Sequence, residues 1–590
     1  MTRSDTIPSA AHTIDPATDT VTDPGTAPVT DPVTDPWPAD EPRHLTLTAT
    51  TMVDGLARSA ARAPGRTALH YYGATLSYGA LHEAVERLAA ALVRIIGVGR
   101  GDRVLIALQN SPQYIIAYHA VLRADAVAVP VNPMYRGPEL AFIAADSGAR
   151  VAIIGDDLVE DFAGLTEAGG PLRAVVAAHY ADMAGHDPRM PWPAVMAAPR
   201  AALPEGGVWH DWRALTDTAT AGAALPPALG GRDDLCLMPY TSGSTGRPKA
   251  CMHTHLSVLF TAEAQMRLYR MTAEDAVTAF LTLFHVAGMQ ASMNAALLAG
   301  SEIVIMTRWD RDLVPVLLAD RQVSFWNAAP AMVVDVLGSA SFDPACLARV
   351  RVLTGGGAAM PEAVAAELKQ RYGLVFIEGY GMTETMSPTH MNPMHAPRPQ
   401  CLGIPIHDTD ARIIDPETLA ELPEGETGEI VVAGPQILKG YWNRPDADAE
   451  AFFMRDGKRF LRTGDLGRRD AAGYFYAVDR LKRMINVGGF KAWPAEIETA
   501  LFRHPAIRDA CVISVPDARR GEAVKAVIVL KPEAQGRVTA EDIIAWARGE
   551  LAAYKVPRVI SFADSLPRTA TNKVDWRGLQ DAERARAAGA

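Results

Sequence analysis

The stretch Tyr240 to Ala250 reads YTSGSTGRPKA. It gathers Thr241, Ser242, Ser244 and Thr245 around Gly243 and Gly246 and closes on Lys249, so hydroxyls, bare amides and one ammonium share a short loop. Each of these groups suits phosphate: glycine lets the backbone come close at positive φ, hydroxyls and amides donate to phosphate oxygens, and lysine adds a point charge. A solvated Ser/Thr/Gly linker has a similar composition, but the flanks here are apolar. Residues 235–240 suit a buried strand and 254–264 can begin a helix, which puts the loop at the mouth of a sheet. The spacing is not that of a Walker loop, which needs four residues between its first glycine and a Gly-Lys pair followed by Ser or Thr. Here Pro248 precedes Lys249 and Ala250 follows it.

Outward from the loop the pattern alternates. Residues 80–96 carry Leu81, Val85, Leu88, Leu92 and Ile95 at helical spacing, whereas 103–108 and 126–131 are apolar runs of strand length. Similar runs at 150–155, 301–306 and 350–353 imply parallel sheets, so the expected fold class is α/β, with a large N-terminal body of doubly wound subdomains. The proline-rich stretch 185–227 reads as a long surface insertion. After Gly403, short alternating segments such as 411–414 and 429–432 are divided by Gly and Pro turns, which suggests a small β-barrel-like subdomain. From about Leu481 the order is strand, helix at 496–504, strands at 510–515 and 523–530, helix at 540–553 and strand at 559–562, a small α+β module. Residues 14–42 repeat Thr-Asp-Pro with almost no large apolar side chain, too little to offset chain entropy. The expected division is a disordered leader at 1–45, the body at 46–480 and a C-terminal domain at 481–590.

The 590 residues are 48% hydrophobic, enough for large cores. Against 68 acidic residues stand 57 basic ones, a net charge of -11, and no basic tract interrupts that balance, so nucleic acid and anionic lipid are not expected partners. The cysteines are scattered without a CxxC pair, suggesting neither a zinc site nor a disulfide framework. The N-terminus lacks an apolar export segment, and the most apolar stretch, 281–306, is interrupted by His285, Gln290, Asn294 and Glu302. A cytoplasmic protein without a membrane span is expected.

Further motifs follow in order. TGGGAAM, 354–360, follows a buried run and can bring bare backbone against a ligand. GYGMTET, 379–385, joins an aromatic to a hydroxyl and a carboxylate, although a Gly-rich turn with a capping Thr-Glu pair would read alike. In RTGDL, 462–466, Asp465 is an acceptor suited to two ribose hydroxyls, or an ordinary Asp turn. DRLKRMINVGGFKAWPAEIE spans 479–498, and LPRTATNKVDW, 566–576, sets Lys573 on a turn where it could equally be a surface lysine. LTLFHVAGM, 281–289, puts His285 in an apolar strand-like run, where a satisfied core histidine is the competing reading.

Together, from Leu47 to Arg577, these motifs resemble those of the acyl-adenylate-forming superfamily, which contains acyl-CoA synthetases, luciferases and the adenylation domains of peptide synthetases. The resemblance implies that the large body holds most of an ATP site and that a mobile C-terminal domain closes over it, with ATP, Mg2+ and CoA required. It implies that Thr241, Ser242, Gly243, Ser244, Thr245, Gly246 and Lys249 grip phosphate, and that Thr245 and Glu384 hold the metal. Gly356, Gly357 and Ala358 would face the adenine and acyl carbonyl with Gly379, Tyr380 and Gly381, Tyr380 packing on adenine. Thr383 would contact phosphate, Asp465 the ribose, and Arg480 the ribose or phosphate. Lys482 would be the hinge, and Gly488, Gly489 and Phe490 would line a pantetheine tunnel once the small domain rotates. Lys573 would enter the active site to bridge the substrate carboxylate and the α-phosphate. His285 would lie beside the acyl pocket, with Val286, Met289, Asn327 and Met386 as weaker pocket positions. The chain departs from the family pattern at Thr282 and Ala359, each in place of proline, at Arg483, where many relatives carry an acid, and at Asn572, in place of a glycine whose left-handed angles Asn tolerates.

The implied function is an acid-CoA ligase that makes acyl-AMP and then a thioester. A medium- or long-chain fatty acid is the expected small-molecule substrate, because GFKAWPAEIE looks like the equivalent stretch of fatty acyl-CoA ligases. An acyl-AMP ligase loading a carrier protein and a luciferase-like oxidoreductase would share most of these motifs. A homodimer is compatible with this reading, but no sequence feature fixes the oligomeric state.

Overall fold

A strand covered by helices on both sides has no solvent face to keep polar, so it reads as a continuous apolar run. Arg103–Ala107, Val127–Pro130, Val151–Gly155 and Ala174–Ala178 are such runs and pair in parallel. In the computed structural model, which describes residues 35–219, 225–241, 248–487, 490–517, 519–568 and 574–588, they form the middle of a seven-stranded sheet. Its order is His253–Thr254, Leu235–Leu237, Val127–Pro130, Arg103–Ala107, Val151–Gly155, Ala174–Ala178 and Trp209–Asp211. A nine-stranded sheet runs Ile404–Pro405, Ser387–Met391, Phe376–Met382, Val352–Gly356, Phe325–Asn327, Ala276–Ala279, Glu302–Ile305, Thr67–Tyr71 and Ala74–Ser77. The helix Pro112–Arg123 is buried along nearly its whole length, and one apolar core joins it to residues of both sheets. Helices begin where a hydroxyl caps the first turn: Ser77, Ser111 and Thr254 each accept a backbone N–H three residues on. Ser242, Gly243, Ser244, Thr245, Gly246, Gly488, Gly489 and Lys573 lie outside the described residues.

Two expectations need correction here. The strand expected over 235–240 stops at Leu237, and after Pro239, which has no N–H for a ladder, Tyr240–Thr241 pairs instead in a separate two-stranded sheet with Lys249–Ala250. The insertion expected over 185–227 contributes the edge strand Trp209–Asp211 and the helix Trp212–Ala219, which packs on Tyr78–Ala91.

Asp410–Ile414, Gly428–Ala433, Lys458–Arg469, Phe452–Arg455 and Phe475–Arg480 form the small β subdomain. The C-terminal domain has its own sheet, in which Phe490–Ala492, Ile485–Val487, Gly521–Leu530 and Ile507–Asp517 lie side by side and Val559–Phe562 also pairs with Gly521–Leu530. Its core is separate, built around Ile497, Leu501, Val512, Ile528 and Ile543. Among the described residues, no helix is long and apolar enough to cross a membrane.

The expectation of a disordered leader over 1–45 does not hold for residues 36–45. Trp37 is buried with Cys401, Ile404 and Tyr474 and meets the His407 ring edge-on at 5.1 Å. Glu41 pairs with Arg267 at 2.6 Å and with His407 at 2.9 Å, and Asp40 pairs with Arg270. Burial alone would raise the Glu41 pKa, but the hydrogen bonds from Arg267 and His407 outweigh it and hold the carboxyl below its ordinary value. A Pro- and Asp-rich composition hides a single aromatic anchor whose partners are remote in sequence. Trp37→Ala is therefore expected to cost about 3 kcal/mol of unfolding free energy, read as a lower denaturant midpoint; an unchanged midpoint would return the segment to the unfolded class.

Candidate active site

The arms of the phosphate-type loop are described residues. Tyr240–Thr241 and Lys249–Ala250 pair antiparallel, with Thr241 opposite Lys249, so the two ends of the loop are held side by side. The hairpin is braced from outside: the Tyr240 hydroxyl donates to Asp146 Oδ2 at 2.7 Å and Trp442 Nε1 donates to the Asp146 carbonyl at 3.0 Å.

Next to it lies the glycine-rich pair of strands. Val352–Gly356 and Phe376–Met382 run parallel with Gly356 opposite Gly379. A Cβ on Gly356 would stand 2.5 Å from the Gly379 carbonyl oxygen, and one on Gly355 would stand 1.9 Å from that of Ala328. This approach needs bare backbone, and it sets Gly356 beside Gly379, with Gly357 and Ala358 following directly after the strand. Gly381 is likewise required, since its Cβ would lie 1.7 Å from the Ser387 carbonyl oxygen.

After Met382 the chain makes the tight turn Thr383–Thr385, and Met386 and Ser387 then take φ values of 50° and 76°, a left-handed conformation uncommon outside glycine. Backbone and side-chain contacts hold this turn. His253 Nε2 meets the Thr383 carbonyl at 2.7 Å. Burial pushes the His253 pKa down to about 4, so the ring is neutral near pH 7 and carries its proton on Nε2 as the donor. The Leu438 N–H donates to the Glu384 carbonyl at 2.9 Å. The Glu384 carboxylate is buried and accepts from the Tyr441 hydroxyl at 3.0 Å. Lys249 Nζ lies 4.2 Å from the centroid of the Tyr441 ring. Burial raises the Glu384 pKa, against the pull of Tyr441 and of the Lys249 and Arg480 charges.

On the other side of the turn, the Tyr380 hydroxyl donates to Asp465 Oδ2 at 2.7 Å. Asp465 Oδ1 pairs with Arg480 Nε at 3.0 Å across the strands Lys458–Arg469 and Phe475–Arg480, where the two residues are directly opposite. Arg480, Asp465 and Tyr380 form one run of contacts and Glu384, Tyr441 and Lys249 a second, and the backbone from Tyr380 to Glu384 joins the two into one set.

His285 is not in a strand. The strand ends at Ala279, and His285 stands exposed as the cap of the short helix Val286–Gly288, its Nδ1 accepting from the Ala287 N–H at 3.3 Å. That helix packs against Ser387–Met391, the strand following the tight turn, whereas a core histidine would be buried. Val286, Met289, Asn327 and Met386 are all buried, and Asn327 Nδ2 donates to Ser292 Oγ at 3.1 Å. Lys482 sits in the turn Leu481–Arg483; burial, and then the charges of Lys249 and Arg577, push its pKa down. Phe490 opens the strand Phe490–Ala492.

Three features escaped the sequence reading: Tyr441, His253 and the pairing of Arg483 with Glu498 and Asp479, which is largely shielded from solvent. Arg483 pairs with Glu498 and lies 3.8 Å from Asp479, which also accepts the Ala495 N–H at 2.6 Å. The arginine in place of an acid therefore ties Phe475–Arg480 to the helix Pro494–Phe502. The only cue for Tyr441 was a Gly-aromatic pair after a β run.

Residues 56–442 match the AMP-binding enzyme family, and 496–573 match the C-terminal domain of AMP-binding enzymes. The chain belongs to the AMP-binding enzyme family. It is 33% identical over 558 residues to a long-chain-fatty-acid–CoA ligase of Bacillus subtilis (strain 168), covering 93% of this chain and 97% of that protein. A feruloyl-CoA synthase of Amycolatopsis sp is 35% identical over 523 residues, covering 88% and 96%. Among solved structures, that of the ATP-bound RpMatB-BxBclM chimera B3 superposes with a TM-score of 0.78 at 28% identity, covering 90% of this chain and 99% of that one. The family member described here is an enzyme of the acid-thiol ligase class.

Proposed function

We propose that the enzyme activates an apolar carboxylic acid with ATP to acyl-AMP, releasing pyrophosphate, and then transfers the acyl group to the CoA thiol, releasing AMP. The connected set from Arg480 through Asp465 and Tyr380 to Glu384, Tyr441 and Lys249 carries this reading. A nucleotide needs an acceptor for the ribose diol, bare backbone for the base and cations for the phosphates, and the set offers Asp465, the glycines at 356, 357 and 379, and Lys249 with Arg480. Thr383 and the loop residues 241–246 add hydroxyl and amide donors.

The residues fit a magnesium ion. Glu384 is a buried carboxylate beside the hairpin, and among the described residues no group of three or more His, Cys, Asp or Glu could hold a metal alone. Magnesium suits such a place, because it is held through one or two carboxylates together with substrate phosphates. Glu384 and Thr245 would hold it, and when bound it supplies positive charge against the phosphates. Lys573 and His285 are the proposed catalytic partners, with rotation about Lys482 bringing Gly488, Gly489 and Phe490 to CoA. The proposed division places the body at 46–480 and the closing domain at 481–590. All five cysteines are free and buried, which suits the reducing cytoplasm proposed as the setting.

For the acid, a medium- or long-chain fatty acid is proposed, supported by the name of the Bacillus subtilis relative and by the apolar Val286, Met289 and Met386. The feruloyl-CoA synthase supports a second reading, an aromatic acid on the same scaffold. Pyrophosphate exchange over a panel of fatty and aromatic acids, followed by product mass with CoA, tests both. Acid-dependent exchange that becomes acyl-CoA synthesis on adding CoA is expected. Exchange without use of CoA would point to a carrier-protein acceptor, oxygen uptake with light to an oxidoreductase, and no exchange with any acid would refute activation itself.

A further inference from the structure

The segment 438–442 lies outside the motifs recognised in the sequence, yet it touches both halves of the site. Its backbone runs along the returning arm of the hairpin: the Trp442 N–H donates to the Ala250 carbonyl at 3.0 Å, Met252 N–H to Gly440 at 2.9 Å and Lys439 N–H to Met252 at 2.8 Å. From this segment Tyr441 presents its ring to Lys249, 4.2 Å from centroid to Nζ, and its hydroxyl to Glu384 Oε1 at 3.0 Å. The side chain is buried among Cys251, Leu438 and Phe475, so the ring is fixed by packing.

We propose that Tyr441 is a positioning residue that sets the separation between the Lys249 ammonium and the Glu384 carboxylate, so that the triphosphate and its metal meet both groups at one fixed spacing. The inference rests on the ligase reading given above. The chemistry of the two contacts supports it. A ring face attracts an ammonium through its quadrupole without consuming any N–H donor, so Lys249 keeps its donors for phosphate. A phenol donates one hydrogen bond to a carboxylate and leaves it anionic and able to bind metal. A direct Lys-Glu pair would instead let each charge neutralise the other.

The two contacts can be removed separately. Tyr441→Phe keeps the ring and deletes the hydroxyl, and Tyr441→Leu deletes both. In Tyr441→Phe the Mg2+ concentration for half-maximal pyrophosphate exchange is expected to rise about tenfold, with the calorimetric affinity for metal-free ATP unchanged. Mn2+ binding in the presence of a non-hydrolysable ATP analogue, read by water-proton relaxation, should weaken to the same extent. Tyr441→Leu should in addition weaken metal-free ATP binding about threefold to tenfold. A purely structural tyrosine would lower the melting temperature of both variants without moving metal half-saturation relative to kcat. That result, or equal effects of the two variants on metal and on nucleotide, overturns the proposal. Should Tyr441→Leu fail to fold, Tyr441→Phe alone decides. If the wild type shows no exchange, the ligase reading falls, and the Mn2+ measurement, which needs no turnover, still judges Tyr441.

Discussion

Replacing Lys573 with alanine is expected to slow acyl-AMP formation about 10²- to 10³-fold, the range for removing one preorganised cation from developing charge. Thioester formation from a supplied acyl-adenylate should be much less affected. The sequence motif and the scaffold on either side of it support this expectation. Arg568 bridges Val574 in an antiparallel pair, and the Asp575 N–H donates to the Pro567 carbonyl at 2.8 Å, so the chain enters and leaves 569–573 at adjacent points. Those arms are seated on the small domain through Leu566, Val574 and Trp576, packed with Cys511, Ile513, Val527 and Val529. The two arms of the segment thus belong to the small domain, and the role proposed for the lysine requires that domain to face the nucleotide. A half-reaction assay separates the two steps: exchange between ATP and pyrophosphate reads the first, and single-turnover formation of acyl-CoA from synthetic acyl-AMP reads the second. Equal losses in both would mean that the lysine acts on something other than the attack at phosphorus.

Much of the architecture was legible in the sequence because its signals are local. A run such as 151–155 is apolar on both faces wherever it lies, and glycines at 355, 356 and 381 mark backbone contacts that no side chain would permit. What escaped depends on contacts between distant positions. Trp37 and Glu41 sit in a stretch whose composition reads as unfolded, yet Glu41 finds Arg267 and His407, 226 and 366 residues away. Tyr441 meets Glu384 across 57 residues, and no periodicity connects them. His285 failed in the opposite way: its apolar neighbours imitate a strand, but the chain there is a turn that leaves the ring exposed. Asp465 was legible as an acceptor after a glycine, and Tyr380 and Arg480 were legible as site residues, but the pairing of both with Asp465 was not.

Those partners shape the second large effect. Asp465→Ala is expected to raise KM for ATP about 10²-fold or more, because two charge-assisted hydrogen bonds to the ribose diol would be lost together. The carboxylate is buried and already oriented, Oδ2 by the Tyr380 hydroxyl at 2.7 Å and Oδ1 by Arg480 at 3.0 Å, so little ordering remains to oppose ribose binding. Its removal leaves Tyr380 without an acceptor and releases Arg480, which is exposed enough to turn to water. The variant should therefore lose more nucleotide affinity than stability, with kcat changing much less than KM. Substrate analogues sharpen the test. Wild-type enzyme should discriminate against 2′-deoxy-ATP and 3′-deoxy-ATP, whereas Asp465→Ala should treat both like ATP. A variant that keeps the wild-type preference for ATP over its deoxy forms would show that another group reads the sugar. Asp465 would then serve only to hold Tyr380 and Arg480 in place, and Tyr380→Phe combined with Asp465→Asn should reproduce the full loss.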